Sequence, residues 1–494
     1  MSAQAACQLN DLLQGLSDGP VADVSVSGLS LDSRTANAGD LFVALSGTHA
    51  EGHRFIAGAI KRGALAVVCD AAIHMDETHA VPVIPVPDLA HKAGVIAERF
   101  YGHPSRQMFV VGVTGTNGKT SCAHFIAQAL DSRQKPCAVI GTLGNGRIGE
   151  LNEASHTTPD ALLLHGMLRD FVAQGMAQVV MEASSHGLQQ GRVSGVDFNV
   201  AVLTNLSRDH LDYHGDMDSY GRAKARLFQM PGLKNAVING DDAFGKTLLN
   251  NIPSSVNAVV YTLGDTAFDV ATVRGSQLQL SREGIRMWLE TPWGTGPLNS
   301  PLLGRFNASN LLAVVAVLLL SGMAFEESLA QVARLDTVPG RMERIGGKHQ
   351  PLVVVDYAHT PDALQQVLKT LRDHCRGRLW CVFGCGGDRD QGKRPQMGAI
   401  AARFADKVVL TDDNPRHEAA QKIIDDIRVG VVDERNVTVI RDRRAAIRYS
   451  IGHATQSDVV LVAGKGHEMY QHVGDEKIPF SDRAQVAAAL KEAA

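Results

Sequence analysis

The sequence predicts an α/β protein of about three domains, each built on a mostly parallel sheet. Three observations predict this class. Short apolar runs rich in Val and Ile recur along the chain and alternate with helical stretches, the pattern of βαβ units. Most of the runs in the last third end in a turn bearing Gly, Asp or His, where doubly wound sheets present their functional groups. The length of 494 residues exceeds what one ordinary core needs.

Residues 1–88 hold the strand-like runs "LFVAL", "ALAVVC" and "VPVIPV", with polar or Gly-rich turns and a helical stretch from His53 to Arg62. "LAHKAGVIAERFYGHPSRQ" reads as a helix that ends before His103-Pro104, so a boundary falls at its start. The second domain, 89–338, opens with "VVGVTGTNGKTS", Val110–Ser121, a strand running through a Gly-bearing turn into a helix. Strands "PCAVIGT", "AQVVMEASS", "NVAVLTNLS" and "NAVIN" follow, separated by helical segments. "LLAVVAVLLLSG", with Asn310 as its cap and Gly322 as its stop, is expected to be a buried core helix. The third domain, 339–494, carries "PLVVVDYAH", "RLWCVFGCGG", "KVVLTDD", "NVTVI" and "DVVLVAGKG". No internal repeat or low-complexity tract is present.

Composition excludes several classes. A 45% hydrophobic and 20% charged content is that of a globular chain, neither disordered nor fibrous. The formal net charge of −4, with 48 basic against 52 acidic residues, provides no field for nucleic acid. Arg441, Arg443 and Arg444 surround Asp442 and read as a solvated face, with a phosphate contact as the alternative. The 7 cysteines show no paired spacing. Cys375, Cys381 and Cys385 with His374 raise zinc as an option, but a CxxC pair is missing and structural thiols are favoured. The longest apolar run, Leu311–Leu320, is about half a membrane span, and no basic segment followed by an apolar stretch opens the chain. No membrane insertion, a cytosolic location and a monomer are expected.

The turn at Gly115, Thr116, Asn117 and Gly118 brings backbone N–H groups and the positive end of a helix to one point, which favours an anion. Lys119 is placed to reach terminal phosphate oxygens and the Thr120 hydroxyl to bind magnesium, as in a P-loop. The strict pattern G-x-x-x-x-G-K-[ST] fails at Val113, so an ordinary tight turn is the bland alternative.

Four further clusters follow strands. In "MEASSHG", Glu182 comes directly after an apolar run, where a second magnesium ligand sits relative to a P-loop. "TNLSRDHLDYHGDMDSY" gathers His210, His214 and several Asp and Tyr residues past another strand. "CGGDRDQGKRP" brings Asp388, Arg389, Lys393 and Arg394. "TDDNPRHE" and "VAGKGHEMY" offer Arg416 and Glu468, partners for a zwitterion, unless both are simply polar surface turns.

These segments resemble the Mur ligases of peptidoglycan synthesis. The loop of that family is T-G-T-N-G-K-T, which Thr114–Thr120 match, with Ser121 where threonine is frequent. "SLDSR", "GDLFVAL", "SRDHLDYHG", "GRFNASN", "DYAHTPDAL", "GCGGDRD" and "DNPR" resemble further family signatures, in order along nearly the whole chain.

The resemblance implies a Rossmann-like N-terminal domain for a UDP-sugar, a central P-loop domain for ATP and a Rossmann-like C-terminal domain for an amino acid. ATP would phosphorylate a glutamate carboxylate of UDP-N-acetylmuramoyl-dipeptide, and an amine would attack the acyl phosphate, chemistry that is mostly positioning and charge neutralisation. Thr120 and Glu182 would hold one magnesium ion, and His210 a second. Lys224 matches the position that carries a carbamate, an anionic ligand where an ammonium would repel the metal.

Asn307, Arg341, Asp356 and His359 correspond to adenine and ribose contacts, with Ser121 closing the ATP set. Leu31, Ser33, Thr48, His49 and Ala50 correspond to UDP-sugar contacts, and His156, Thr157, Thr158, Ser184, Gln190 and Arg192 to the peptide end. Asp413, Asn414, Pro415 and Arg416 resemble the version in members that add meso-diaminopimelate, whose additional carboxylate a bidentate Arg416 would compensate, with Arg389 near. Gly464 and Glu468 would hold the distal amine. A folylpolyglutamate-synthetase-type ligase shares the loop but not "SLDSR" or "DNPR"; a P-loop ATPase acting on nucleic acid or protein is disfavoured by the charge balance.

Overall fold

The computed structural model describes residues 6–19, 21–45, 52–70, 79–347 and 349–493. The chain divides into two compact units, Met1–Val273 with Ala313–Met323, and Arg274–Leu312 with Ala324–Ala494.

In the first unit, Gly28–Ser30, Asp40–Ala44, Ala66–Asp70 and Val83–Val86 pair in that order as a parallel sheet. The strands are apolar on both faces: Leu41 and Val43 enter one core, Phe42 and Ala44 the other. The helix Leu89–Phe100 carries the chain onward. It packs against the helix Ala161–Ala173, and Gly94 lies so close to Ser194 that a Cβ there would sit 2.0 Å from the Ser194 carbonyl oxygen.

The larger sheet of this unit has the strand Phe109–Thr114 between Gln178–Glu182 and Val200–Leu203, all parallel. Cys137–Gly141 lies beyond the former, and Asn235–Asn239 then Asn257–Thr262 beyond the latter. The chain leaves Phe109–Thr114 toward one side of the sheet and later returns to build the other, so the turn after Thr114 stands at the switch point, where α/β sheets bind ligands. Register places Glu182 opposite Val113 and Leu203 opposite Thr114, so three strand ends converge on that turn.

In the second unit, Leu352–Asp356, Val459–Ala463, Leu379–Phe383, Lys407–Leu410 and Val437–Val439 form a parallel sheet in that order, with Glu343–Gly346 antiparallel at one edge. Strict alternation shares the side chains between two cores. Leu379, Cys381 and Phe383 face the helices Pro361–His374, Lys393–Phe404 and Ala420–Arg428; Trp380 and Val382 face Arg443–His453 and Asp482–Glu492.

Three sequence expectations change. The apolar helix starts at Arg305, not after Asn310, because Gly304 at φ +97° makes the break; Asn310 lies inside it and donates to Asn307 Oδ1 at 3.1 Å. Arg443 is no part of a solvated face: it is buried, paired with Asp482 through bonds of 2.7 and 2.8 Å. An antiparallel meander of Ala271–Ser281, Gly284–Thr291 and Gly294–Ser300, which sequence reading passed over, turns at Gly284 and Gly294, both at positive φ. None of the 7 cysteines forms a disulfide. Among the described residues no helix is long and apolar enough to cross a membrane.

Candidate functional site

The turn after Thr114 needs its glycines. Gly115 has φ +146° and a Cβ there would meet Thr204 Oγ1 at 1.9 Å; Gly118 has φ +86° and precedes the helix Lys119–Leu130. Tertiary contacts fix the loop. Thr116 Oγ1 donates to the Ser207 carbonyl at 3.1 Å and lies 3.1 Å from the Tyr220 hydroxyl, while the Asn117 N–H donates to Asn205 Oδ1 at 3.0 Å. Lys119 Nζ curls over the loop to the carbonyls of Gly115 and Thr116, both at 2.9 Å. Ser121 follows in the first turn of the helix.

Glu182 is wholly buried at the end of its strand. Its Oε2 accepts the Thr120 hydroxyl at 2.8 Å and its Oε1 the Thr142 N–H at 2.8 Å. Room for the carboxylate comes from Gly141, where a Cβ would stand 2.3 Å from Oε1.

Lys224, buried on the helix Met217–Ala225, donates to the Gly115 carbonyl at 2.7 Å and lies 4.4 Å from the centre of the Tyr220 ring. Burial, then the charge of Lys119, pushes its ammonium well below the ordinary lysine range, with Asp209 opposing. Burial raises the Tyr220 hydroxyl to about 12. Tyr220 closes the segment "TNLSRDHLDYHGDMDSY" but was not named individually in the sequence; it stands four positions before Lys224 on one helix face.

His210 has φ +52° before the helix Leu211–His214, half exposed, its ring 5.0 Å from that of His186 and 6.1 Å from that of Tyr220. The residues expected at the peptide end gather nearby. The Thr158 hydroxyl donates to the Glu182 carbonyl at 2.8 Å and lies 3.1 Å from Ser184 Oγ; Arg192 donates to the Thr158 carbonyl at 2.9 Å and to Gln190 Oε1. Gln190 reaches the Tyr213 hydroxyl at 3.0 Å, Thr157 pairs with Thr142 at 3.1 Å, and His156 is exposed beside Ser155. Leu31 and Ser33 follow the strand Gly28–Ser30, half-buried. Thr48, His49 and Ala50 lie outside the described residues.

The remaining residues belong to the second unit. Asn307 donates to the Leu303 carbonyl at 2.8 Å. The Arg341 guanidinium stacks 5.1 Å from the Tyr357 ring centre with its Nε buried and without a hydrogen-bond partner among the described residues. Asp356 accepts the N–H groups of Met342 and Ala358, both at 2.8 Å; burial raises its carboxyl, opposed by those bonds and by Arg341. His359 Nδ1 lies 2.8 Å from the Tyr357 carbonyl, and burial lowers its basicity.

Asp413, Asn414, Pro415 and Arg416 form the turn after Lys407–Leu410, and Gly464 and Glu468 the turn after Val459–Ala463, two strands separated in the sheet by Leu379–Phe383. Arg416 sits at φ +51° and donates to the Gly387 carbonyl at 2.7 Å; Arg416 and Arg389 flank Gly386. Glu468 Oε2 accepts both Asn414 Nδ2 and Lys465 Nζ at 2.8 Å. Burial works to raise the Glu468 carboxyl, but Lys465 and Asn414 outweigh it and hold it below the usual glutamate range. Lys465 was not singled out in the sequence; its place between Gly464 and Gly466, three before Glu468, was the available signal.

A strand–turn–helix phosphate cradle at a sheet's switch point, with Thr120, Glu182 and two lysines around it, belongs to the class of ATP-dependent enzymes that transfer a phosphoryl group. Three family descriptions match the chain: "Mur ligase family, catalytic domain" at residues 25–101, "Mur ligase middle domain" at 113–318 and "Mur ligase, glutamate ligase domain" at 340–466. UDP-N-acetylmuramoyl-L-alanyl-D-glutamate--2,6-diaminopimelate ligase of Coxiella burnetii is 48% identical over 98% of this chain and 99% of its own. The ligase of the same name from Alkalilimnicola ehrlichii is 50% identical over 95% and 96%. A solved structure of a ligase of that name is 39% identical, covers 99% of both chains and has a TM-score of 0.78. The chain belongs to the Mur ligase family.

Proposed function

We propose that this protein is the ligase that adds meso-diaminopimelate to UDP-N-acetylmuramoyl-L-alanyl-D-glutamate at the expense of ATP, a step of peptidoglycan precursor synthesis. The observation that carries the chemistry is the loop itself: Thr120 on Glu182, with Lys119 and Lys224 bound to the carbonyls beside them. The near-full-length relatives support the substrate.

A carboxylate is a poor electrophile at neutral pH. Its oxygen therefore attacks the γ-phosphorus of ATP, ADP departs, and the diaminopimelate nitrogen then attacks the acyl carbon, expelling phosphate and losing a proton. The loop N–H groups and Lys119 hold the phosphates, and Arg192 the charge of the UDP-sugar peptide. Residues 1–88 carry the UDP-sugar, 89–338 the ATP and 339–494 the amino acid.

Among the described residues no three His, Cys, Asp or Glu side chains cluster as a metal site. A hydroxyl and a carboxylate at 2.8 Å nevertheless suit an ion that takes its other ligands from phosphate and water, as magnesium does. Thr120 and Glu182 would hold that ion, and His210 with Lys224 a second; magnesium supplies charge neutralisation of the transferring phosphoryl group. Lys224 fits only as an anion. Its depressed basicity favours the neutral amine, which adds to carbon dioxide to give a carbamate and a proton.

Arg416 pairs with the carboxylate that distinguishes diaminopimelate from lysine, Arg389 beside it, and Glu468 takes the distal amine. ATP and the nucleotide sugar place the reaction in the cytoplasm. The test is phosphate release from ATP, magnesium and the UDP-dipeptide, with meso-diaminopimelate or L-lysine added. Release that requires diaminopimelate is expected; equal use of lysine would refute the role of Arg416, and turnover without either amino acid would refute the ligase reading.

A further inference from the structure

Lys465 lies just past the strand Val459–Ala463 with its side chain fully buried. A buried ammonium must be paired and hydrogen-bonded to be tolerated. Its Nζ donates to Asn414 Oδ1 and to Glu468 Oε2, both at 2.8 Å, and lies 5.9 Å from the centre of the Tyr470 ring. The backbone before it is shaped for this: Gly464 has φ +117°, and a Cβ there would stand 2.3 Å from Asp413 Oδ2.

These bonds settle two orientations. Asn414 Oδ1 receives Lys465 and also the His472 N–H at 3.0 Å, so its amide nitrogen must face Glu468, where it donates to Oε2 at 2.8 Å. Glu468 Oε2 thus takes two donors, whereas Oε1 takes none among the described residues, and the side chain retains 20% exposure. One carboxylate oxygen is pinned inward and the other is free to accept a ligand.

We propose that Lys465 is a positioning and specificity-determining residue of the amino-acid pocket, holding Glu468 and Asn414 so that Glu468 Oε1 meets the distal ammonium of the incoming amino acid. The inference rests on the ligase reading above. Pinning removes the side-chain entropy that a mobile glutamate would lose on binding. It also cancels the Glu468 charge, so a lone side-chain cation gains little net attraction, and a substrate that also brings a carboxylate for Arg416 is favoured over one that does not.

The test uses the full-length enzyme with Lys465→Met. The KM for meso-diaminopimelate is expected to rise about tenfold or more, the loss of a charge-assisted arrangement, with the KM values for ATP and the UDP-dipeptide unchanged. The preference for meso-diaminopimelate over L-lysine in kcat/KM should fall, because Glu468 is no longer neutralised. In a Glu468→Gln background, Lys465→Met should add less than threefold, since its effect runs through Glu468.

If all three KM values rise together, if the preference is unchanged, or if the two substitutions act independently, the proposal is wrong. Should Lys465→Met not fold, Lys465→Gln keeps a donor without the charge and is held to the same three readouts. Diaminopimelate-dependent phosphate release by the unsubstituted enzyme separates failure of this proposal from failure of the ligase reading.

Discussion

Gly141→Ala tests whether the position of Glu182 governs catalysis, without touching any reacting group. Gly141 ends the strand Cys137–Gly141, and a methyl group there would lie 2.3 Å from Glu182 Oε1 and 3.0 Å from its Cδ and Cγ. Ordinary van der Waals contact requires the carboxylate to move by about 1 Å. Its bonds to Thr120 and to the Thr142 N–H, both 2.8 Å, cannot survive that shift intact. Each bond to a charged group is worth about 1.5–3 kcal/mol. A displacement of about 1 Å at such a site costs on the order of 10²-fold in rate. Steady-state phosphate release should therefore show kcat/KM for ATP lowered on the order of 10²-fold, while thermal unfolding reports only the about 1–3 kcal/mol of an overpacked core. A folded variant with kcat/KM within threefold of the parent would refute the reasoning.

Lys224→Ala should abolish ligation on the order of 10³-fold or more, since it removes the proposed carbamate and the bond to the Gly115 carbonyl; a near-normal rate would show that the lysine is structural only. Arg416→Ala should raise the KM for diaminopimelate far more than that for ATP, and equal losses in a substrate titration would count against its assigned role. Arg443→Met leaves Asp482 buried without its partner and should destabilise the fold by about 3–5 kcal/mol in urea unfolding, with a loss under about 1 kcal/mol contradicting the buried-pair argument. His374 lies between the Ser281 carbonyl and the Gly304 N–H, and burial keeps its basicity below the ordinary 6.5. The unfolded chain takes up that proton first, so this part of the stability is present above pH 6.5 and is lost as the pH falls below it; unfolding between pH 7.5 and 5.5 should show a shallower loss for His374→Gln than for the parent.

The sequence by itself determined what short-range patterns encode. Val- and Ile-rich runs bounded by turns marked the strands at Phe109–Thr114, Gln178–Glu182, Val200–Leu203 and Leu379–Phe383, since strand formation rests on alternation and local bulk. The strand–turn–helix after Phe109 was legible because its glycines and its Lys-Thr are consecutive, and the place of Glu182 because it closes an apolar run. Only the tertiary structure decided which charges are buried and what they touch. Lys224 meets Gly115 across 109 residues, Lys465 meets Asn414 across 51, and Arg443 meets Asp482 across 39. A charge enters a core only when folding delivers its partner, and no local pattern records a partner so distant in the chain. For the same reason Arg443 read as a surface residue and Asn310 as a cap: the groups that placed them were supplied by other segments and by the turn at Gly304.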